Sequence, residues 1–582
     1  MVSTFIDHPR RQKIYCSMAL ALIGILVYAN HLHNVFQFDS VVYITNNLSL
    51  KNPESMLTLQ FWMSHFFSRG LLSISIAFNA HLDGLRPFGF HVFNLVLHIF
   101  NTILLFHIFQ KSLIHFKTQT KISEGNTAIS FFAAAIFLVH PIQTESVIYI
   151  ISRSEILAST FYLLGFLLFQ FCMDSQKRSF LLKFFILPVI IIFMVLSGFS
   201  VKQTLATFPL IIFLYYLSIS PLNSPIIKVI LKWKWQLLSL IFIFLSLLFY
   251  KLLSDESFLI GPSQPDEMVG RAKYMLSQPA VIVFYYLKKL FFPINLNVDP
   301  DIEVISHLFS FGFIASVLTI AFIVYFFWKR AAWPFYIFFL GWFFIILSPS
   351  SSIVTLHDLA AEHRVYLALP GVAFILSYGL FDIFKNKKSG VLILCGLTLL
   401  LGILSIERNM VWRTELSLWQ DTYKKSPGKL RPLINLARAH SIEGNREDAI
   451  RYYEEALSKG PGVFVIHYNL GEIYLTMGKV DEALLRFESA LRLNPKIPET
   501  YAKLGEIHLS LKNWKLADIY FKKCIEIDSR FPHVFKNLGL LHFYHLKNLK
   551  ESLLYFSRSL VLDPNQEQAD EIRRLLSQFR TR

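Results

Sequence analysis

No two cysteines of this sequence form a CxxC pair, and the chain has only four in 582 residues: Cys16, Cys172, Cys395 and Cys524. That argues against a disulfide framework or a cysteine-built metal site, both of which need several thiols at short spacing. Three of the four fall inside apolar runs, where a thiol behaves as a small hydrophobe. Charge is scarce too. Asp, Glu, Lys and Arg make up 16% of the chain and hydrophobic residues 54%, whereas soluble domains carry about 25% charged residues. This is a membrane composition. Acids are outnumbered by bases, 40 to 56, for a net charge of +16. Most basic residues before position 407 sit in short loops, where they set topology, so nucleic acid is not an expected partner.

What the sequence has in quantity is long apolar runs, recurring through residues 14–406. A spanning helix needs roughly 20 mostly apolar residues. The expected spans are 14–29, 90–110, 127–143, 155–173, 180–197, 203–219, 235–253, 306–328, 331–348, 366–384 and 389–406, eleven in all. The first follows HPRRQK with no small-residue cleavage site after it, and so reads as an anchor. With residues 8–13 cytoplasmic, the even-numbered loops contain Lys111, Lys117 and Lys121, then Lys177 and Arg178, then Lys228, Lys232 and Lys234, then Lys329 and Arg330, then KNKK at 385–388. Each is short and basic, which fits eleven spans and a non-cytoplasmic C-terminal part. The external loops are then about 30–89, 140–154, 198–202, 254–305 and 349–365. Within the fourth, VIVFYYLKKLFFP at 281–293 reads as an interfacial or re-entrant helix.

Residues 407–430 read as a linker with a first helix, and from 431 a repeat takes over. NLA at 435–437, NLG at 469–471, KLG at 503–505 and NLG at 537–539 recur every 34 residues, the tetratricopeptide period. Gly471, Ala483 and Ala490 let paired helices approach, Tyr474 and Phe487 fill the gap, and Pro495 ends the unit. The fourth repeat carries one extra residue before Ser552, and QADEIRRLLSQFRTR reads as a capping helix. The expected fold is all-α: a multi-span membrane domain over 1–406 and a solenoid of four repeats over 431–582. Such a solenoid binds proteins or peptides on its concave face.

Ionisable groups near membrane depth are costly and mark functional sites by default. Four external segments hold them: Asp39 in FQFDS; His140, Glu145 and Arg153 in HPIQTESVIYIISRSE; Lys202 in SVKQT; Glu362 and Arg364 in AEHRVY. Each has a plain structural alternative. Asp39 could cap a helix, His140 could satisfy backbone at a helix end, Arg153 and Lys202 could snorkel, and Glu145 could pair with Arg364. Their joint placement on one face of the membrane is what singles them out.

The order FQFDSVVYITNN, RPFGFHVFNLVLHIFNTILLF, HPIQTESV, SRSEILA, AEHRVYLALPG and ERNMVWRTELSLWQDTYKKSPGKLRPLINLA resembles the transmembrane and tetratricopeptide repeat-containing family. That family lies in the GT-C superfamily and is related to protein O-mannosyltransferases. The resemblance implies transfer of a sugar from a polyprenyl-phosphate-linked donor to an acceptor hydroxyl, often of Ser or Thr. It implies a catalytic acid in the first external loop, onto which Asp39 maps, as general base. Arg153, Lys202 and Arg364 are then candidates for holding the donor phosphate, with Glu145, Glu362 and His140 orienting those cations or the sugar. The chain departs from the family at Ser40, where relatives carry a second acid, at Gln143, where a His is common, and at Gln203, where a Glu is common. Without an acid pair a divalent metal is not expected, and no cofactor is; the lipid-linked sugar is a substrate. Ser40 also leaves room for a catalytically silent scaffold. The expected setting is a multi-pass protein of a bacterial inner membrane with periplasmic repeats, the endoplasmic reticulum membrane with lumenal repeats being the alternative.

Overall fold

In a hydrocarbon environment every backbone N–H and C=O must find a partner inside the protein, which leaves helix as the form open to these apolar runs. The computed structural model describes residues 9–45, 50, 58–60, 63, 69–117, 126–173, 187–199, 201–220, 269–330, 332–351, 355–384, 387–566 and 568–580. Among these the regular structure is helical, with no strand. The chain divides into two units, Met1–Lys425 and Ser426–Arg582, with the boundary inside the expected linker.

In the first unit five described helices are long and apolar enough to cross a membrane: Arg10–His31, Pro87–His115, Ile150–Met173, Phe311–Trp328 and Lys388–Val411. Thr127–Val139 and Pro141–Ile148 add a sixth if their 49° bend is taken within one span. The bend sits where Pro141 has no N–H to donate. Four further apolar helices are shorter: Pro188–Gly198, Thr204–Ile219, Trp333–Leu347 and Leu369–Ile383. Ten of the expected spans therefore coincide, in whole or part, with apolar helices (5 + 1 + 4). The seventh, 235–253, lies outside the described residues. The count of eleven is not reached by length, because the four short helices fall below the roughly 20 residues a straight crossing needs.

Residues 281–291 prolong a helix that starts at Arg271. Pro279 removes a donor from it, and the turns Val281–Leu287 are wound as π-helix. Lys289 Nζ then donates to the carbonyls of Ile294 (2.6 Å) and Asn295 (2.7 Å), tying off the helix end. The interior is aromatic. Phe109 stacks on Phe374 at 4.2 Å between ring centroids, and Phe338 lies edge-on to Tyr215 at 4.8 Å. Close contact of this kind is what holds helices together in lipid, where the hydrophobic drive between them is lost. Gly371 permits a close crossing: a Cβ there would lie 2.3 Å from the Phe339 carbonyl oxygen.

The second unit is four antiparallel helix pairs and a last helix, Ala569–Arg580. The pairs are Leu430–Ile442 with Arg446–Lys459, Phe464–Thr476 with Val480–Leu493, Pro498–Ser510 with Trp514–Ile527, and Pro532–Tyr544 with Leu549–Leu562. Each turn passes through the left-handed region, at Gly444, Gly478, Lys512 and Lys547. The fourth turn, 545–548, is one residue longer than 511–513, which locates the extra residue. Phe487, Phe521 and Phe556 lie directly over Gly471, Gly505 and Gly539. Ser552, where the other repeats have Ala, donates to the Gly539 carbonyl at 2.9 Å.

Candidate functional site

Asp39 opens a short helical turn running through Val41–Thr45 and is solvent-exposed. The residue before it, Phe38, is left-handed at φ 52°, an uncommon state for a bulky side chain. Phe38 is held there by rings: Trp419 at 4.8 Å, Tyr149 at 5.5 Å and Trp412 at 6.0 Å between centroids. Burial, together with the negative charge of neighbouring Asp39, pushes the Tyr149 phenol well above its usual range. Ser40 faces the other way. It is buried, and its Oγ has no hydrogen-bond partner among the described residues.

Glu145 lies within electrostatic reach of the same Tyr149. Thr144–Ile148 is a helical turn after the Pro141 bend, and it turns Glu145 inward. The carboxylate accepts from His363 twice, from Nδ1 at 2.6 Å and from the backbone N–H at 3.2 Å. The expected partner, Arg364, is instead tied to its own loop. It donates to the carbonyls of Asp358 (2.9 Å) and Leu359 (3.4 Å) and to the Tyr274 hydroxyl (3.4 Å). Lys202 pairs with Glu155. Its ammonium is also within electrostatic reach of Arg364, Arg69 and Glu145. Asp39, Tyr149, Glu145, His363, Lys202, Arg364 and Arg69, from four segments of the chain, thus make up a cluster whose members feel one another's charge, with Glu145 and His363 as its hydrogen-bonded pair.

Three expected members stand apart from it. Arg153 is fully buried and its three nitrogens are all engaged: Nε with Asn94 Oδ1 at 2.8 Å, and the others with the Ser75 (2.9 Å) and Phe90 (3.2 Å) carbonyls. It ties together the helices that carry Ser75, Phe90 and Asn94. His140 caps the bend, its Nδ1 accepting from the Ile142 N–H at 3.2 Å while Nε2 contacts the Leu290 carbonyl at 3.0 Å. Its helix-end role is the one observed. Glu362 is buried behind the cluster. It accepts from the Asn297 N–H (2.6 Å) and the Tyr285 hydroxyl (3.1 Å), with Arg408 3.8 Å away. Burial pushes its carboxyl up to about 7 against the pull of Arg408. Arg408 also binds Asp421 at 2.9 Å, which Lys425 shares at 2.7 Å.

Sequence reasoning passed over Tyr149, His363, Glu155, Arg69 and Arg408. His363 sits between two chosen residues, and Arg408 lies in the ERNMVWR block, so both had a visible signal. Arg69 had none: its mark is a positive φ of 64°. Among the described residues no group of three or more His, Cys, Asp or Glu side chains is arranged to hold a metal ion.

Tetratricopeptide repeat family models match residues 442–496 and 498–531. Mouse protein O-mannosyl-transferase TMTC1 is 30% identical over 181 residues, 29% of this chain and 18% of its own length. The human TMTC1 protein is 31% identical over 201 residues, 32% of this chain and 21% of its own. A Caenorhabditis elegans protein O-mannosyl-transferase, F38B6.6, is 26% identical over 490 residues, 77% of this chain and 63% of its own. The chain covers less than two thirds of each of these relatives.

Proposed function

The chain is a relative of the transmembrane and tetratricopeptide repeat-containing protein O-mannosyl-transferases, and from that premise we propose that it transfers a hexose, of mannose type, from a polyprenyl-phosphate-linked donor to an acceptor hydroxyl on the non-cytoplasmic side of its membrane. The observation that supports this reading is exposed Asp39 beside Tyr149, with Glu145 holding His363, the neighbour of Arg364, and Lys202 paired with Glu155. Asp39 takes the acceptor proton as the hydroxyl oxygen attacks the anomeric carbon. The bond from that carbon to the phosphate oxygen breaks, and its electron pair leaves with the polyprenyl phosphate. Lys202, Arg364 and Arg69 meet the charge that develops there. A single displacement inverts the anomeric centre. Glu145, through His363, holds the loop that presents Arg364. The repeats bind the protein acceptor or a partner. No metal or cofactor is invoked, and the setting is a bacterial inner membrane, with the endoplasmic reticulum as alternative.

Ser40 favours a second reading, a silent scaffold that assembles envelope or secretory complexes. Against it, the buried Ser40 side chain does not share the surface Asp39 occupies, so the missing acid leaves Asp39 and its partners in place. Reconstituting the full chain in liposomes with polyprenyl-phosphate mannose and a Ser/Thr peptide separates the two. Hexose added to the peptide, read by mass spectrometry, supports the transferase. Donor binding without any addition supports the scaffold.

A further inference from the structure

The segment after the last span is expected from its sequence only to join two domains. In the structure it is a bracket around the segment that carries Asp39. Contacts run in register along both pieces of chain. Asn30 Nδ2 donates to the Ile406 carbonyl at 3.0 Å, and Asn409 Nδ2 donates to Asn30 Oδ1 at 2.8 Å and the Val27 carbonyl at 2.9 Å. Further along, Gln37 Nε2 donates to the Trp412 carbonyl. Then Phe38 enters the ring cluster of Tyr149, Trp412 and Trp419. The bracket is itself fixed. Thr414 and Ser417 exchange hydrogen bonds at 3.0 Å in both directions, starting the helix Glu415–Lys425 with Trp419 buried on its inner face.

We infer that Trp412 and Trp419 are positioning residues for Asp39: their rings hold Phe38 in its left-handed state, and that backbone state aims the next side chain outward. A left-handed conformation is costly for a bulky residue such as Phe38 and persists only where neighbours impose it. Remove the ring against Phe38 and the φ relaxes to the right-handed or extended region, swinging Asp39 away while leaving the spans packed. The inference rests on the reading of Asp39 as the base, and its test has one arm that does not.

In the full chain with its four cysteines replaced by alanine, Asp39→Cys is labelled with a membrane-impermeant maleimide, alone and combined with Trp419→Ala or Trp419→Phe. The inference expects the rate to change severalfold with Ala and to stay near the parent with Phe. Equal rates in all three overturn it. Should Trp419→Ala fail to accumulate, Phe38→Leu takes its place in the same comparison. In the transfer assay, with Asp39 intact, Trp419→Ala lowers kcat by about a hundredfold, the effect of an ångström-scale misplacement, at unchanged donor KM. Trp419→Phe restores it. A loss seen in KM alone, or no better activity with Phe than with Ala, contradicts positioning. If the parent chain transfers no sugar the proposed reaction falls, and labelling alone decides the positioning role.

Discussion

Glu145, in the cluster, and Glu362, behind it, are both buried carboxylates, and they meet the cost of burial by different means. Glu145 takes two donors from His363, whereas Glu362 takes one backbone N–H and a phenol while Arg408 stays at 3.8 Å. Folding therefore raises the Glu362 pKa from the ordinary carboxyl value to about 7. Between those two values the folded protein holds a proton that the unfolded chain has lost, so this site's contribution to stability is full in acid and declines as pH rises toward about 7. Glu362→Gln removes the titration. The expected result is a smaller drop in thermal midpoint between mildly acidic and neutral pH than the parent shows; an unchanged drop counts against the assignment. Arg364 makes the complementary prediction. Its guanidinium is held by carbonyls of its own loop and retains donors for a ligand. Arg364→Ala should weaken binding of the phosphate-linked donor by about tenfold or more, the loss of a charge-assisted hydrogen bond, with unaltered affinity as the contrary result.

At the scale of helices, the repeats show how a single position is fixed by its neighbour. A Cβ on Gly505 would lie 2.6 Å from the Phe521 ring. Gly505→Val should cost about 1–3 kcal/mol through overpacking, outweighing the gain of up to about 1 kcal/mol in helix propensity. Limited proteolysis of the full chain in increasing urea reads this as earlier cleavage within 426–582. The repeats were legible in the sequence because all their determinants recur at one short period: small residue, aromatic and turn within 34 positions. The spans were legible from hydropathy, but not their lengths. Trp333–Leu347 is shorter than the run that suggested it. The cluster was half legible. Which segments meet follows from the alternation of sides, but which atoms pair does not: Glu145 and His363 are 218 residues apart, and nothing local distinguishes His363 from Arg364 as partner. The partners of Arg153 were hidden for a similar reason. Its charge suggested a ligand, and only the fold shows that Asn94, Ser75 and Phe90 use its donors.

For the whole molecule, the account needs the charged loops to be cytoplasmic, and Asp39 and the repeats to be on the other side. Single cysteines at exposed repeat positions such as Lys496 should react with an impermeant reagent added to the non-cytoplasmic face; labelling only after permeabilisation of the cytoplasmic side would refute the topology. Membrane and repeat units then divide the work, one carrying the linked acid and cations, the other a binding surface. Everything proposed about the chemistry converges on one carboxylate. The most direct test is sugar transfer by the reconstituted full chain and by Asp39→Asn, which keeps the side chain's size and its contact with Tyr149. The account predicts that the parent adds hexose to the acceptor peptide while Asp39→Asn, equally inserted and still binding donor, loses transfer by about a hundredfold or more, the scale of general-base catalysis. Transfer by Asp39→Asn at the parent's rate would contradict it.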